Sequence, residues 1–269
     1  FKQKTAYEIS LGLVGSEMCI RDRSIATAIL WLTMGVFVAT AIYSATLIRF
    51  DIEGPVLETQ GSVVVLKLNI TIQNEGFHDI TNLTFKTYIF LARCLISIST
   101  SGPYSVEGGE SEVLPHAIEV DFAKIAENKT LVRALILEDV PMNITFVIDL
   151  TYAYVVKTEL EANFSSTWGA LMSGFEVYAW RVIGGTLEVD ISFTNNSPTS
   201  YQFQLEALNR TRGHVGISDP QGPVDPNSTF TGTVEIPLNM AYWTPSKWYL
   251  VAHIFIANVE LAAEVWAYG

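Results

Sequence analysis

The feature that most constrains this chain is an uncharged stretch from Ile25 to Ile48, which reads IATAILWLTMGVFVATAIYSATLI. As an α-helix it would extend about 36 Å at a rise of about 1.5 Å per residue, enough to cross a hydrocarbon core of about 30 Å. Its only polar side chains are Ser, Thr and Tyr, and the Ser and Thr hydroxyls can bond to carbonyls of the same helix. We therefore predict a transmembrane helix over residues 24–49, with the lipid bilayer as partner. A cleaved signal peptide is the alternative.

The chain beyond this stretch is strongly acidic. From Phe50 onward it holds 11 Lys and Arg and 25 Asp and Glu, a net charge of −14. Such a surface repels nucleic acid, which we exclude as a partner, and anionic lipid. The two cysteines, Cys19 and Cys94, lie on opposite sides of the predicted span, so no disulfide is expected after it. An exported part without disulfides is more typical of an archaeal or bacterial surface than of a small animal ectodomain. Cys94 lies in an apolar run and is predicted to be buried.

The asparagines indicate which side of the membrane the acidic part occupies. Of twelve asparagines, eight are followed by x-Ser/Thr, and these candidate glycosylation sites are Asn69, Asn82, Asn128, Asn143, Asn163, Asn195, Asn209 and Asn227. This pattern predicts an N-glycosylated, extracytoplasmic C-terminal part on a single-pass membrane protein. The plainer interpretation is that Asn and Thr share turns and exposed strand faces.

Alternating hydrophobicity after the span predicts β-strands arranged in an internal repeat. Val64, Leu66, Leu68, Ile70 and Ile72 fall on one face of a strand, and Leu187, Val189, Ile191 and Phe193 repeat that pattern. LKLNITIQNEG (66 to 76) matches LEVDISFTNNS (187 to 197), and two later blocks match in the same order. The fold class is therefore mainly β, with two tandem immunoglobulin-like β-sandwiches over residues 50–167 and 168–269. The first should contain a short helix that is closed by Pro141. The link between the copies is predicted within NFSSTWGALMSG.

This pattern resembles a known family. A strand ending at Asn74, the apolar strand LTFKTYIFL, an alternating strand through Ile118, Val120 and Phe122, a short helix and a final strand pair are together similar to the late-embryogenesis-abundant type-2 domain, also called the water-stress and hypersensitive-response domain. The resemblance implies a binding or structural role, and membrane-tethered archaeal and bacterial versions. Residues 1–23 are different: FKQKTAYEI and GSEMCIRD resemble translated sequencing-adaptor sequence. We interpret them as an artefact or a disordered stub.

Motifs for catalysis are absent from the sequence. The four histidines have no zinc-ligand spacing, and we find neither a phosphate-binding loop nor a nucleophile elbow. Two groups of side chains are considered: Glu159 and Glu161 could pair with Glu260 for acid–base chemistry, and Asp219, Asp225 and Asn227 could hold Ca²⁺. Solvated strand faces and turn chemistry explain both groups better. We therefore predict no enzyme activity, no cofactor and no metal.

One aromatic cluster near the C-terminus is a candidate contact site for a protein or a glycan outside the cell, although core packing explains it somewhat better. Its members are Tyr242, Trp243, Trp248 and Tyr249. Taken together, the sequence predicts a membrane-anchored, glycosylated surface protein with a structural or binding role. The alternative is a pilin-like filament subunit whose N-terminal helix packs in the fibre core.

Overall fold

A computed structural model describes the backbone of residues 6–269 and the side chains of residues 23–269, except those of residues 55 and 57. Residues 1–5 of the predicted artefact or stub lie outside the described residues, as do the side chains of residues 6–22. One long helix, α1 (Ala6–Ala45), precedes two β-rich halves. The first half contains β1 (Ile48–Gln60), β2 (Val63–Asn74), β3 (Ile80–Leu91), β4 (Cys94–Val106), β5 (Ser111–Asp121), α2 (Phe122–Glu127), α3 (Lys129–Leu137), β6 (Val140–Tyr152) and β7 (Val156–Trp168). The second half contains β8 (Ser173–Ile183), β9 (Thr186–Thr194), β10 (Tyr201–Asn209), β11 (His214–Ile217), β12 (Gln221–Val224), β13 (Thr229–Pro237), β14 (Trp248–Ile256) and β15 (Val259–Tyr268).

Helix α1 has the length and composition of a membrane span. Its apolar part, Arg23–Ala45, has a mean hydropathy of 2.1, and only 6% of this apolar stretch is buried against the rest of the molecule. A single membrane span and a signal sequence both have these properties. The helix ends at Ala45, four residues before the predicted end at Arg49. The N–H groups of Thr46 and Leu47 bond to the carbonyls of Tyr43 and Ser44 in a closing turn, and Ile48 then begins β1.

The two halves have the same strand order. In the first half, one sheet has the order β1-β2-β5 and the other β4-β3-β6-β7. In the second half, the corresponding sheets are β8-β9-β13 and β11-β10-β14-β15, with β12 also paired to β10. All the ladders are antiparallel. If β11 and β12 are counted together as one strand, the first, second and fifth strands of each half form one sheet and the remaining strands form the other. In the second half, β11 and β12 together take the position of β4.

A buried asparagine at the end of the second strand is repeated in both halves. Asn74 ends β2 and Asn195 follows β9, and neither side chain is exposed. The Asn74 amide donates to the carbonyls of His78, Val106 and Glu107 at 2.9, 3.3 and 3.1 Å. The Asn195 amide donates in the same way to the carbonyls of Thr199 and Val224 at 2.9 and 3.1 Å. Each asparagine therefore joins the loops at one end of its half.

The predicted core faces of the two matched strands are confirmed where the alternation is strictest. Ile70 and Ile72 are buried in the core of the first half. Leu187, Val189, Ile191 and Phe193 are buried in a second core. Towards the start of β2 the pattern weakens, because Val65 is buried whereas Val64, Leu66 and Leu68 are only partly covered.

The predicted short helix is a pair of helices, and it packs on the second half. α2 begins at the N-cap Asp121, and Asn128 caps α3 by accepting from the N–H of Leu131 at 3.1 Å. α3 ends at Leu137, and Pro141 lies inside β6 instead of closing the helix. Both helices pack against β15, and α3 also packs against β8. Their buried side chains belong to the same core cluster as those of the second half: Phe122, Ile125, Leu131, Val132, Leu135 and Ile136.

The connection between the halves is short and buried. β7 continues to Trp168, so most of the predicted link NFSSTWGALMSG is strand and only Gly169–Met172 remains as connection. Ala170, Leu171 and Met172 are buried. The N–H groups of Leu171 and Met172 donate to the carbonyls of Leu135 and Ile136 at 3.0 and 2.7 Å. These bonds satisfy carbonyls at the end of α3 that a helix leaves unpaired.

The first half is open along one edge. Phe50 and Ile52 on β1 lie opposite the buried Ile72 and Ile70, so they point to the core side. Leu160 and Phe164 on β7 lie opposite Ile148 and Ile144 of β6. All four side chains are nevertheless exposed. We call these four residues the open edge.

The prediction that Cys94 is buried is wrong. The apolar run TYIFLARCLISI is not one strand but the turn of the β3–β4 hairpin, where Ala92 and Arg93 have φ of 48° and 69°. Cys94 follows this turn as the first residue of β4, and its side chain is exposed.

Candidate functional site

The predicted aromatic cluster lies at the end of the second half that is remote from α3. Trp248 is fully buried, and its ring lies 5.6, 5.5 and 5.0 Å from those of Trp180, Trp243 and Trp266. It therefore belongs to the core and cannot be part of a contact surface. Tyr242 is exposed, whereas Trp243 and Tyr249 are partly covered. The structure thus leaves a smaller aromatic surface than the sequence suggested.

Cationic side chains surround this surface. The guanidinium carbon of Arg212 lies 5.0 Å from the centre of the Tyr249 ring, and Lys247 Nζ lies 5.8 Å from it. Both distances lie within the range of cation–π attraction. We call Arg212, Tyr242, Trp243, Lys247 and Tyr249 the tip surface. The two loops that carry most of it, RTRG (210 to 213) and LNMAYWTPSK (238 to 247), contain no acidic residue.

Hydrogen bonds fix the loops of the tip surface. Asn209 Oδ1 accepts from the N–H and the hydroxyl of Thr211 at 3.0 and 2.8 Å and from the N–H of Gly213 at 2.8 Å. Arg212 forms a 3.2 Å ion pair with Glu264. The tip surface therefore combines aromatic rings with two cations, one of which is paired with a carboxylate. Aromatic rings beside cations have the chemistry to contact a protein surface or a glycan.

A row of alternating carboxylates and histidines crosses the outer face of the sheet that contains β10 and β14. Glu206 lies between His214 and His253, with contacts of 2.6 and 2.9 Å, and the other nitrogen of His253 contacts Glu260. Both ring nitrogens of His253 thus lie within hydrogen-bond distance of a carboxylate oxygen. Because both nitrogens are occupied, we explain the row as hydrogen bonding within the sheet. Sequence reasoning missed this row, since it depends on strand register.

The predicted glycosylation sites differ in accessibility. Six side chains are exposed: Asn69, Asn82, Asn128, Asn143, Asn163 and Asn227. Asn209 is partly covered and organises the tip loops. Asn195 is fully buried and its amide bonds to two backbone carbonyls, so as a glycosylation site it is a wrong prediction. An oligosaccharide cannot be attached to a nitrogen that is enclosed in this way.

The candidate metal and acid–base groups do not assemble. Among the described residues, no group of three or more His, Cys, Asp or Glu side chains could hold a metal ion. Asp225 instead belongs to a turn, where its carbonyl accepts from Ser228. Glu159 and Glu161 lie on β7 and Glu260 on β15, so they belong to different sheets of different halves. A carboxylate pair of these residues does not form.

No protein-family model matches the chain, and no curated protein matches it. Among solved structures, a transglutaminase of red sea bream is 14% identical over 81% of this chain and 31% of its own, with a TM-score of 0.27. The YadV chaperone is 9% identical over 80% of this chain and 98% of its own, with a TM-score of 0.26. A glycosyl hydrolase family 2 member from Bacteroides cellulosilyticus is 10% identical over 78% and 27%, with a TM-score of 0.28. The chain thus spans less than a third of the transglutaminase and of the hydrolase. Similarity this low indicates nothing about function.

Proposed function

We propose that this chain is a single-pass membrane protein whose C-terminal part is extracytoplasmic and has a structural or binding role at the cell surface. In this proposal α1 is the anchor, and the two halves are tandem immunoglobulin-like β-sandwiches, each similar to the late-embryogenesis-abundant type-2 domain. They form a stalk that holds the tip surface away from the bilayer. The exposed asparagines carry N-linked glycans.

The observation that carries the proposal is the direct connection between each part and the next. Only the turn of Thr46 and Leu47 separates α1 from β1. Ser44 Oγ at the end of α1 contacts the hydroxyl of Tyr152 and accepts from the N–H of Phe77 at 2.6 Å. The first half continues into the second through four residues, all of which are buried. Connections as short as these two suit a spacer that sets a fixed distance from the membrane.

The same helix keeps the filament alternative open for one reason. Its exposed apolar surface could pack against helices of other copies as well as against lipid. Cross-linking within the helix distinguishes the two arrangements. A filament subunit would give ladders of many copies, and an anchored protein would not.

Labelling of Cys94 in intact cells tests the orientation, because its thiol is exposed. In a variant with Cys19→Ser, a membrane-impermeant maleimide should modify Cys94 before the cells are lysed. A Cys94→Ser variant is the matched control for background labelling. Modification that occurs only after lysis would place the C-terminal part inside and refute the proposal.

A further inference from the structure

The last two turns of α1 lie against the end of the first half. The rings of Phe37 and His78 are 5.5 Å apart, and Thr40 Oγ1 lies 3.4 Å from Nε2 of His78. The ring of Tyr43 stacks on that of Phe77 at 6.3 Å. From Phe37 to Ala45 the helix rises about 12 Å. The loop that follows β2 therefore lies beside the apolar helix over this whole length.

The free side of the same two turns is apolar and uncovered. Ile42 is 65% exposed, and Val38 is also exposed. Leaving such side chains in water is unfavourable relative to burying them. Since a membrane would cover them, the bilayer is expected to extend along these turns. The adjoining loop then lies at the depth of the bilayer surface.

The end of the first half presents side chains that fit this position. Phe77 is 68% exposed, Tyr154 69% and Val155 65%. The Tyr154 hydroxyl donates to Asp79 at 2.5 Å, so its polar group has a partner while its ring faces outward. Aromatic rings with a polar group are enriched where hydrocarbon meets headgroups. Phe77, Tyr154 and Val155 together are named the base surface.

The second half supplies an internal comparison. The turn of Ala153 and Tyr154 between β6 and β7 corresponds to that of Ala257 and Asn258 between β14 and β15, and all four residues have positive φ. Counted from the buried Asn74 and Asn195, Phe77 corresponds to Pro198. In the second half, which does not adjoin α1, Asn258 and Pro198 thus occupy the positions that correspond to Tyr154 and Phe77. The aromatic residues occur only in the copy that adjoins the helix.

We infer that the base surface is a lipid-contacting surface that seats the first half in the headgroup layer of the bilayer. This inference rests on the proposed membrane anchor. The lipid it fits is zwitterionic, because Glu75, Asp79 and Glu107 lie in the neighbouring loops and would repel anionic headgroups. Contact between the base surface and the headgroups would also limit tilting of the stalk, because this contact lies beside α1.

Spin labels on the full chain in phosphatidylcholine vesicles test the inference. Cys19 and Cys94 are first replaced by Ser, and single cysteines are then introduced as Phe77→Cys, Tyr154→Cys, Leu32→Cys and Tyr242→Cys. Each label is measured for collision with oxygen, which is enriched in lipid, and with a water-soluble nickel chelate. The Leu32 label reports on the anchor, and the Tyr242 label, at an exposed site of the tip surface, reports on water.

The expected result is a lipid-like Leu32 label, a water-like Tyr242 label, and labels at Phe77 and Tyr154 with several-fold less nickel collision than at Tyr242. If Leu32 is lipid-like but Phe77 and Tyr154 behave as Tyr242 does, the anchor stands and the base surface is overturned. If Leu32 itself is exposed to nickel, the anchor fails and the inference fails with it. Two independent sites on the base surface guard against one variant that folds poorly.

Discussion

At the scale of single residues, the buried asparagines explain how two halves with little sequence identity keep the same loop arrangement. Asn74 and Asn195 each bond to backbone carbonyls of loops that are distant in sequence. The backbone repeats as well: Gly109 N–H donates to the Asn74 carbonyl and Asn227 N–H donates to that of Asn195, both at 2.7 Å. An amide side chain suits this position because it both donates and accepts. Its NH2 group donates to the carbonyls, and its Oδ1 accepts from a backbone N–H, that of Gly76 at 3.3 Å in the first half and that of Ser197 at 3.0 Å in the second.

Replacing Asn74 by Ala should lower the free energy of unfolding by about 1 to 3 kcal/mol, because buried carbonyls lose their donor. Asn69→Ala on the same strand is the matched control and should change it by less than about 0.5 kcal/mol, since Asn69 is exposed. Denaturant titration of both variants in detergent micelles measures the difference. Equal stabilities of the two variants would contradict this role for Asn74.

A buried histidine should make the first half sensitive to acid. His116 on β5 is 1% exposed, and its nitrogens lie 2.8 Å from the hydroxyls of Thr87 and Ser101. Burial lowers the pKa of His116, so the folded protein keeps the ring neutral. The unfolded chain takes up this proton near pH 6.5, so stability is unaffected above that pH and falls as the pH drops below it.

The loss that His116 contributes cannot exceed about 1.4 kcal/mol per pH unit for one proton. His116→Gln should flatten the pH dependence of unfolding between about pH 6.5 and 5, whatever its effect on absolute stability. Denaturant titrations of both proteins at several pH values measure this slope. An unchanged slope in the variant would assign the acid sensitivity to other groups.

At the scale of elements, α3 belongs to the first half by sequence and to the second by packing. Leu135 is 1% exposed and lies in the core cluster that contains Phe193, whereas Ile72 lies in the other core. Helices inserted between β5 and β6 thus help to bury β15. The boundary between the two cores therefore does not coincide with the boundary between the two sequence repeats. The second core includes side chains of α2 and α3, which belong to the first repeat.

Leu135→Ala should lower stability by about 2 to 5 kcal/mol through a cavity, and the effect should appear in the second half. Hydrogen exchange followed by mass spectrometry should show faster exchange in β8 and β15. The control Ile72→Ala should instead accelerate exchange in β2 and β3. Faster exchange in β2 and β3 alone with Leu135→Ala would show that α3 supports the first core after all.

At the scale of the whole molecule, Gly169 makes the close junction of the halves feasible. A Cβ atom at this position would overlap the carbonyl oxygen of Asn196. That backbone is fixed, because Asn196 N–H donates to the Ala170 carbonyl at 2.9 Å. Any side chain at residue 169 therefore pushes the connection away from the second half.

Gly169→Ala should loosen the two halves relative to each other and cost about 1 to 3 kcal/mol. Spin labels at the exposed residues Asn69 and Thr231, with Cys19 and Cys94 replaced by Ser, would report the distance between halves. The distance distribution should broaden in Gly169→Ala and stay narrow in Gly54→Ala, because a Cβ at Gly54 meets nothing within 4 Å. Identical narrow distributions would show that the junction tolerates the methyl group.

The sequence predicted the mainly β fold and the buried faces of β2 and β9, because alternation on a half-buried strand can be read locally. It did not predict the burial of Asn195, whose partners Thr199 and Val224 are brought to it only by folding. The end of β7 was read as a link because NFSSTW is polar, yet an edge strand with exposed sides tolerates such residues. The tip surface was predicted in part, since Trp248 is drawn into the core by three neighbouring indoles.

The strands of the open edge, β1 and β7, have a consequence for the proposed membrane protein when many copies share one membrane. β1 and β7 each have one side without a strand partner, and such backbone is a template for pairing with another chain. The same strands carry exposed carboxylates at Asp51, Glu53, Glu159 and Glu161. Like charges on approaching neighbours repel over about 8 Å at physiological salt. In the proposed membrane-anchored arrangement, the acidity of this protein is thus a colloidal barrier, because it opposes edge-to-edge strand pairing between neighbouring copies.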